Sequence, residues 1–235
     1  MTITTAGSPK FLNAGSPDEF IRLGTDLMAE EIRSAVDKRK FCILGLSGGS
    51  TPKPIYEALG KENIDWSNVW IFLVDDRYIR ADDPSSNQFL LRSTLLKNAP
   101  IPESQIIFPD TTLSLEKCID LYDRQITDLM KKGSPDLITL GLGDDGHIAS
   151  LFPLLSDDAF GPASVIHTTT EKFAVKDRIS VTIPVLKKAR QAVFFLKGIE
   201  KKKVWEDMEK SRESEKRWPA KSVMSGTPVV LVAQW

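Results

Sequence analysis

The stretch Leu140-Gly-Leu-Gly-Asp-Asp-Gly-His-Ile-Ala-Ser-Leu-Phe-Pro153 holds the residues best suited to chemistry in this chain. His147 is one of two histidines, and an imidazole can take up and return a proton near neutral pH. Asp144 and Asp145 lie just before it, where a carboxylate can hold an imidazole in one tautomer. Gly141, Gly143 and Gly146 let the backbone turn sharply and come close to a ligand. A bare Gly-Asp-Gly would read as a solvated turn with a capping aspartate. The added histidine, and a second glycine loop elsewhere, favour a functional site.

That second loop is Ser47-Gly-Gly-Ser-Thr-Pro52, and it has three readings. As an anion site, Gly48 and Gly49 expose backbone N–H groups, Ser50 and Thr51 add hydroxyls, and a following helix points its N-terminus at the ligand. Pro52 suits the first turn of that helix. As a nucleophile elbow, Gly45-Leu-Ser-Gly-Gly49 fits G-x-S-x-G, but Ser50, Thr51 and Pro52 are then left without a role. As a plain turn it needs no ligand. It is not a Walker A loop, because the Gly-Lys-Ser/Thr ending is missing.

A third cluster, Asp75-Asp76-Arg77, ends the apolar run Val69 to Val74. It is either an ion-paired strand end or, through Arg77, a fork for phosphate or carboxylate. Arg178 and Lys201 are further cations that could complete a phosphate cage. His167 alternates with apolar residues and reads as structural.

The elements that position these residues follow from apolar spacing. Short buried runs at Phe41–Leu46, Val69–Val74, Asp136–Leu140, Val193–Leu196 and Pro228–Ala233 read as strands, with Ile106–Phe108 a shorter one. Between them, Asp18–Arg39, a short segment through Tyr56 and Leu59, Phe89–Lys97, a stripe from Leu115 to Leu129, and Lys201–Glu209 read as helices. Ser164–Thr169 and Arg178–Ile183 alternate like half-exposed strands. Alternating strands and helices predict a mainly parallel, doubly wound α/β sheet with helices on both faces, built as one domain over residues 1–235. In such a sheet the three polar clusters lie at the same, carboxyl edge and converge.

The totals narrow the function classes. With 31 Lys+Arg against 32 Asp+Glu, the net charge is -1, so nothing global favours nucleic acid or a membrane as a partner. Cys42 and Cys118 sit in apolar stripes and read as buried free thiols, not metal ligands. The segment Met1–Lys10 lacks the pattern of a leader, and no apolar run is long enough to span a bilayer. A cytoplasmic protein with no metal or cofactor, and more simply a monomer, is expected.

These residues together resemble the 6-phosphogluconolactonases of the glucosamine-6-phosphate isomerase/deaminase superfamily. The resemblance runs from about Phe41 to Val232 through Leu46-Ser-Gly-Gly-Ser-Thr-Pro52, Asp75-Asp-Arg77 with Ser86-Asn87, and the glycine–histidine stretch. Arg178-Ile-Ser-Val-Thr-Ile-Pro184 and Gly198-Ile-Glu-Lys201 add weaker support. The amino-sugar phosphate deaminases continue Asp-Gly-His-Ile-Ala with Phe-Asn-Glu-Pro, and here Phe152 stands where their glutamate would be. Asp76 replaces a frequent glutamate, and Lys187 a common asparagine.

The resemblance implies a NagB/RpiA/CoA-transferase-like fold and hydrolysis of 6-phospho-D-glucono-1,5-lactone, the second step of the oxidative pentose phosphate pathway. It also implies phosphate held by Ser50, Thr51, the nearby amides, Arg178 and Lys201, with Arg77 and Asn87 beside the sugar. His147 would act on water, oriented by Asp145 or Asp75. The alternatives are a deaminase-like enzyme of amino-sugar phosphates and a non-catalytic sugar-phosphate binder. Asp144 is left without a task.

Overall fold

The computed structural model describes residues 8–235, so part of the N-terminal stretch read above lies outside the described residues. The elements in order are β1 (Lys10–Asn13), α1 (Pro17–Arg39), β2 (Cys42–Leu46), α2 (Lys53–Leu59), β3 (Val69–Leu73) and β4 (Asp75–Arg77). There follow α3 (Asn87–Ser93), α4 (Leu95–Asn98), β5 (Ile106–Ile107), α5 (Leu115–Lys132), β6 (Leu137–Leu140), β7 (Val165–Thr169) and β8 (Asp177–Val181). The chain ends with α6 (Ile183–Lys187), β9 (Ala192–Lys197), α7 (Ile199–Lys210), α8 (Pro219–Met224) and β10 (Val229–Gln234). Among the described residues no helix is long and apolar enough to cross a membrane.

Seven strands pair in the order β1-β10-β9-β6-β2-β3-β5, every pair parallel. The inner strands are almost wholly apolar and buried because helices cover both faces. Along β2, Cys42, Leu44 and Leu46 face the core under α1 and α2, while Ile43 faces the core under α5. This is the two-residue alternation of a pleated strand. From β2 the chain winds outward through β3 and β5, then returns to lay β6 on the other side of β2. The winding therefore reverses between β2 and β6. In open α/β sheets the crevice beyond the strand ends at such a reversal is where ligands bind.

Several features depart from the sequence reading, three of them close to the site. Asp75–Arg77, read as the polar end of the second strand, forms a strand of its own: β4, β8 and β7 make a second, antiparallel sheet. β8 is buried, not half-exposed, since Ile179 and Val181 join the core while Arg178 faces a cavity. The expected helix over Phe89–Lys97 breaks at Thr94, whose hydroxyl donates to Leu90 O at 2.6 Å.

One polar contact fixes the edge next to the site. β5 pairs only with Ile71 and Phe72, which leaves the next residue of β3 without a strand neighbour on that side. The buried Tyr122 hydroxyl of α5 replaces it, accepting from Leu73 N at 3.1 Å and donating to Leu73 O at 2.6 Å. Burial pushes this phenol well up, which keeps it protonated as a donor. Tyr122→Phe strands both backbone groups and is expected to cost about 1–3 kcal/mol in denaturant unfolding. An unchanged midpoint would show that water replaces the hydroxyl.

Candidate active site

The carboxyl ends of β2 and β6 open into a cavity of about 470 Å³, and the β4–β8 sheet forms its far wall. The three polar clusters do converge there, as a parallel sheet requires. His147, Asp75, Gly48, Gly49, Ser50 and Thr51 line it, and so do Arg77, Asn87, Arg178 and Lys201. Asp145 stands behind the histidine.

The first loop starts from a buried polar knot. Ser47 N donates to Thr139 Oγ1 at 2.9 Å, and the Tyr56 hydroxyl donates to Ser47 O at 2.9 Å while meeting Thr139 Oγ1 at 2.7 Å. Burial pushes the Tyr56 phenol up to about 12, against the pull of those bonds. The Ser47 hydroxyl faces Thr139 at 3.3 Å, with no imidazole on it, so the nucleophile elbow lacks its base. At Gly48 a side chain is impossible as the loop stands, because a Cβ would lie 1.8 Å from Asn87 Oδ1. Among the described residues the N–H groups of Gly48 and Gly49 donate to no protein acceptor. Pro52 sits one place earlier than expected, at the N-cap of α2.

Strand alternation explains the second cluster. In β4, Asp75 and Arg77 face the cavity, and Asp76 points the other way into full burial. Asp76 accepts from the amides of Arg77 and Asn87 at 2.7 Å and from the Ser86 hydroxyl at 3.0 Å. It thereby anchors the start of α3. Burial pushes its carboxyl up to about 6, although these hydrogen bonds oppose the rise. Asp75 accepts from the Ser150 hydroxyl at 2.7 Å, and Asn87 Nδ2 donates to Asp75 O at 2.8 Å.

Arg77 is paired in register with Arg178 of β8. Like charges directly opposite each other on neighbouring strands repel. Burial, then the charge of Arg77, lowers the Arg178 guanidinium's hold on its proton. Part of the Arg178 group is held by a bond to Val175 O at 3.0 Å and by the Phe173 ring 5.2 Å away. Arg77 donates to Ser85 O, and its Nε is buried without a partner. Two cations brought together at a cavity wall favour an anion between them.

The third cluster places an imidazole at the cavity. His147 Nδ1 meets Asp145 Oδ1 at 2.6 Å, and the same oxygen accepts from His147 N at 3.1 Å. In the neutral ring that contact puts the proton on Nδ1 and leaves Nε2 as the free lone pair of a residue that lines the cavity. Of the two carboxylates considered from sequence, Asp145 orients the imidazole; the hydrogen bonds of Asp75 go to Ser150 and Asn87. Lys172 Nζ holds the other Asp145 oxygen at 2.9 Å, and Arg217 Nη1 donates to Asp145 O at 2.8 Å. Burial raises the Asp145 carboxyl, but the His147 and Lys172 bonds outweigh it and hold it well below the usual carboxylate range. At Gly143 an added Cβ would lie 2.0 Å from His147 Nδ1. The ring packs on bare backbone.

Phe152 lies 4.9 Å from the His147 ring between centroids, and Phe173 lies 6.0 Å away nearly edge-on. Lys172 and Phe173, from the loop joining β7 and β8, were not singled out from sequence, because neither fits a motif. Ser150, quoted only as part of the stretch, ties it to Asp75. His167 lies apart from these groups, bonding Asp177 at 2.8 Å.

Comparison with known proteins identifies the family. The family model for glucosamine-6-phosphate isomerases/6-phosphogluconolactonase matches residues 15–232. A probable 6-phosphogluconolactonase of Dictyostelium discoideum is 44% identical over 199 residues, covering 83% of this chain and 84% of that protein. The 6-phosphogluconolactonase of a Synechocystis species is 33% identical over 201 residues, covering 82% of this chain and 81% of that protein. A solved 6-phosphogluconolactonase from Shewanella baltica superposes with a TM-score of 0.88 at 28% identity, over 98% of this chain and 100% of that one. With its reversal-point cavity, its histidine loop and these relatives, the chain belongs to the glucosamine-6-phosphate isomerase/6-phosphogluconolactonase family.

Proposed function

We propose that this protein hydrolyses 6-phospho-D-glucono-1,5-lactone to 6-phosphogluconate. The observation that carries this reading within the family is the flank of His147. Phe152 packs there, 4.9 Å from the imidazole, at the position where the deaminases carry a glutamate. A phenyl ring cannot relay protons for ring opening and deamination, whereas a lone oriented imidazole suffices to activate water against an ester.

In the mechanism, Nε2 of His147 takes a proton from water as the water oxygen attacks the lactone carbonyl. Asp145 keeps the ring's Nδ1 protonated and stabilises the imidazolium that forms. The imidazolium then returns its proton to the ring oxygen as the acyl C–O bond breaks, giving the freed hydroxyl and a carboxylic acid. The acid loses its proton to solvent near neutral pH and leaves the carboxylate. The unpaired N–H groups of Gly48 and Gly49 are candidates to receive the developing oxyanion.

Ser50, Thr51, Arg178 and Lys201 hold the substrate's phosphate, with Arg77 and Asn87 beside the sugar. Asp75 organises the wall through Ser150 and Asn87. Binding energy gathered at the remote phosphate orients the lactone for attack. We read the chain as one α/β unit that works as a monomer. The two cysteines are free and buried, which fits a reducing compartment such as the cytoplasm.

Lactone loss followed by NMR, corrected for spontaneous hydrolysis, tests the reading. The phosphorylated lactone is expected to be consumed far faster with protein than without, and faster than glucono-1,5-lactone. Equal rates with and without protein would refute the activity. Thr51→Ala and Lys201→Ala are expected to raise KM about tenfold or more with a smaller change in kcat, as charge-assisted bonds shared by ground and transition states are lost. A loss confined to kcat would remove both residues from the phosphate site.

A further inference from the structure

Asp144 belongs to the histidine loop yet has no part in the chemistry above. Its carboxylate meets Lys201 Nζ at 2.5 Å. Its side chain stays 85% exposed, against 29% for Lys201. Both residues line the cavity. Among the described residues Asp144 has no other side-chain partner, so the pairing serves neither the turn nor the core. Lys201 lies in the first turn of α7, after Gly198, whose φ is 94°. This places an ammonium at the cavity mouth with a carboxylate already on it.

We propose that Asp144 is a specificity-determining competitor for Lys201. It occupies the ammonium while the cavity lacks phosphate, and a phosphate monoester displaces it on binding. An exposed ion pair is weak, so a dianion with three acceptor oxygens takes over the lysine. A neutral hydroxymethyl group offers no charge to exchange for the lost pair. Asp144 thus lowers affinity for every ligand that uses Lys201 and leaves only doubly charged ones worth the exchange. The inference rests on the phosphate role given to Lys201 above.

The test is calorimetric titration of the full chain with inorganic phosphate, which does not depend on any lactone being hydrolysed. The proteins are wild type, Asp144→Asn, Lys201→Met and the double variant. Asp144→Asn is nearly isosteric at an exposed position, so folding is not at risk. It is expected to tighten phosphate binding about threefold, the scale of one exposed ion pair. In the Lys201→Met background the same change is expected to have no effect. Unchanged or weaker binding in Asp144→Asn, with Lys201→Met still weakening binding, overturns the inference alone. The same tightening in both backgrounds also overturns it, since a general field and not the pair would be responsible. If Lys201→Met leaves phosphate binding unaltered, the phosphate role of Lys201 falls and the inference falls with it.

Discussion

His147→Asn is expected to reduce turnover of 6-phospho-D-glucono-1,5-lactone by ~10²–10⁴-fold, the range for a lost general base. Asparagine is small enough to fit against Gly143, and its amide can still donate to Asp145. The loop therefore keeps its shape while the basic Nε2 is lost. Initial rates corrected for spontaneous hydrolysis measure the effect, with circular dichroism as a check on folding. Activity near that of the wild type would mean that another group activates the water.

Asp145→Asn is expected to cost ~10²-fold or more in kcat, because a neutral amide no longer stabilises the imidazolium or fixes its tautomer. The change reaches two elements, since Lys172 loses its partner as well. It also carries a stability signature. The folded state holds the Asp145 carboxyl below its ordinary value, so its contribution is present above about pH 4, the unfolded value. That contribution is lost as pH falls through the depressed folded value. Asp145→Asn is therefore expected to lower the denaturation midpoint near neutrality and to converge with wild type in strong acid. A midpoint difference that grew toward acid would contradict the ion-pair geometry. Wild-type kcat in this variant would show that His147 needs no carboxylate behind it.

The sheet was legible in the sequence where burial on both faces makes strands uniformly apolar, as in Phe41–Leu46 and Val69–Val74. Its edge was not. β1 is short and largely exposed, with Phe11 44% accessible, so it shows no pattern until β10 pairs with it. Asp75–Arg77 read only as a strand end because its own strand pairing comes from Arg178–Ser180, about a hundred residues further on. Local spacing cannot register so distant a partner. The break at Thr94 carries no glycine or proline to mark it.

The candidate site shows the same division. Convergence of three loops follows from parallel strands alone, and the histidine stretch identifies itself. The choice of Asp145 over Asp75 could not be read, because it depends on which way each carboxylate points. Strand alternation in β4 aims Asp75 at the cavity wall and its bonds go to Ser150 and Asn87, while the tight turn through Gly146 folds Asp145 back onto His147. The contacts Lys172–Asp145 and Lys201–Asp144 join segments 27 and 57 residues apart. Lys172 fits no motif and Asp144 is left without a task, so local spacing marks neither contact.

The most direct measurement sets two reactions of one purified sample side by side: hydrolysis of 6-phospho-D-glucono-1,5-lactone and ammonia release from glucosamine 6-phosphate. Lactone loss well above the spontaneous rate, with no ammonia above background, is the predicted result. Ammonia release without accelerated lactone loss would contradict the central claim, since it would mean that the site performs deamination with Phe152 in place of the glutamate.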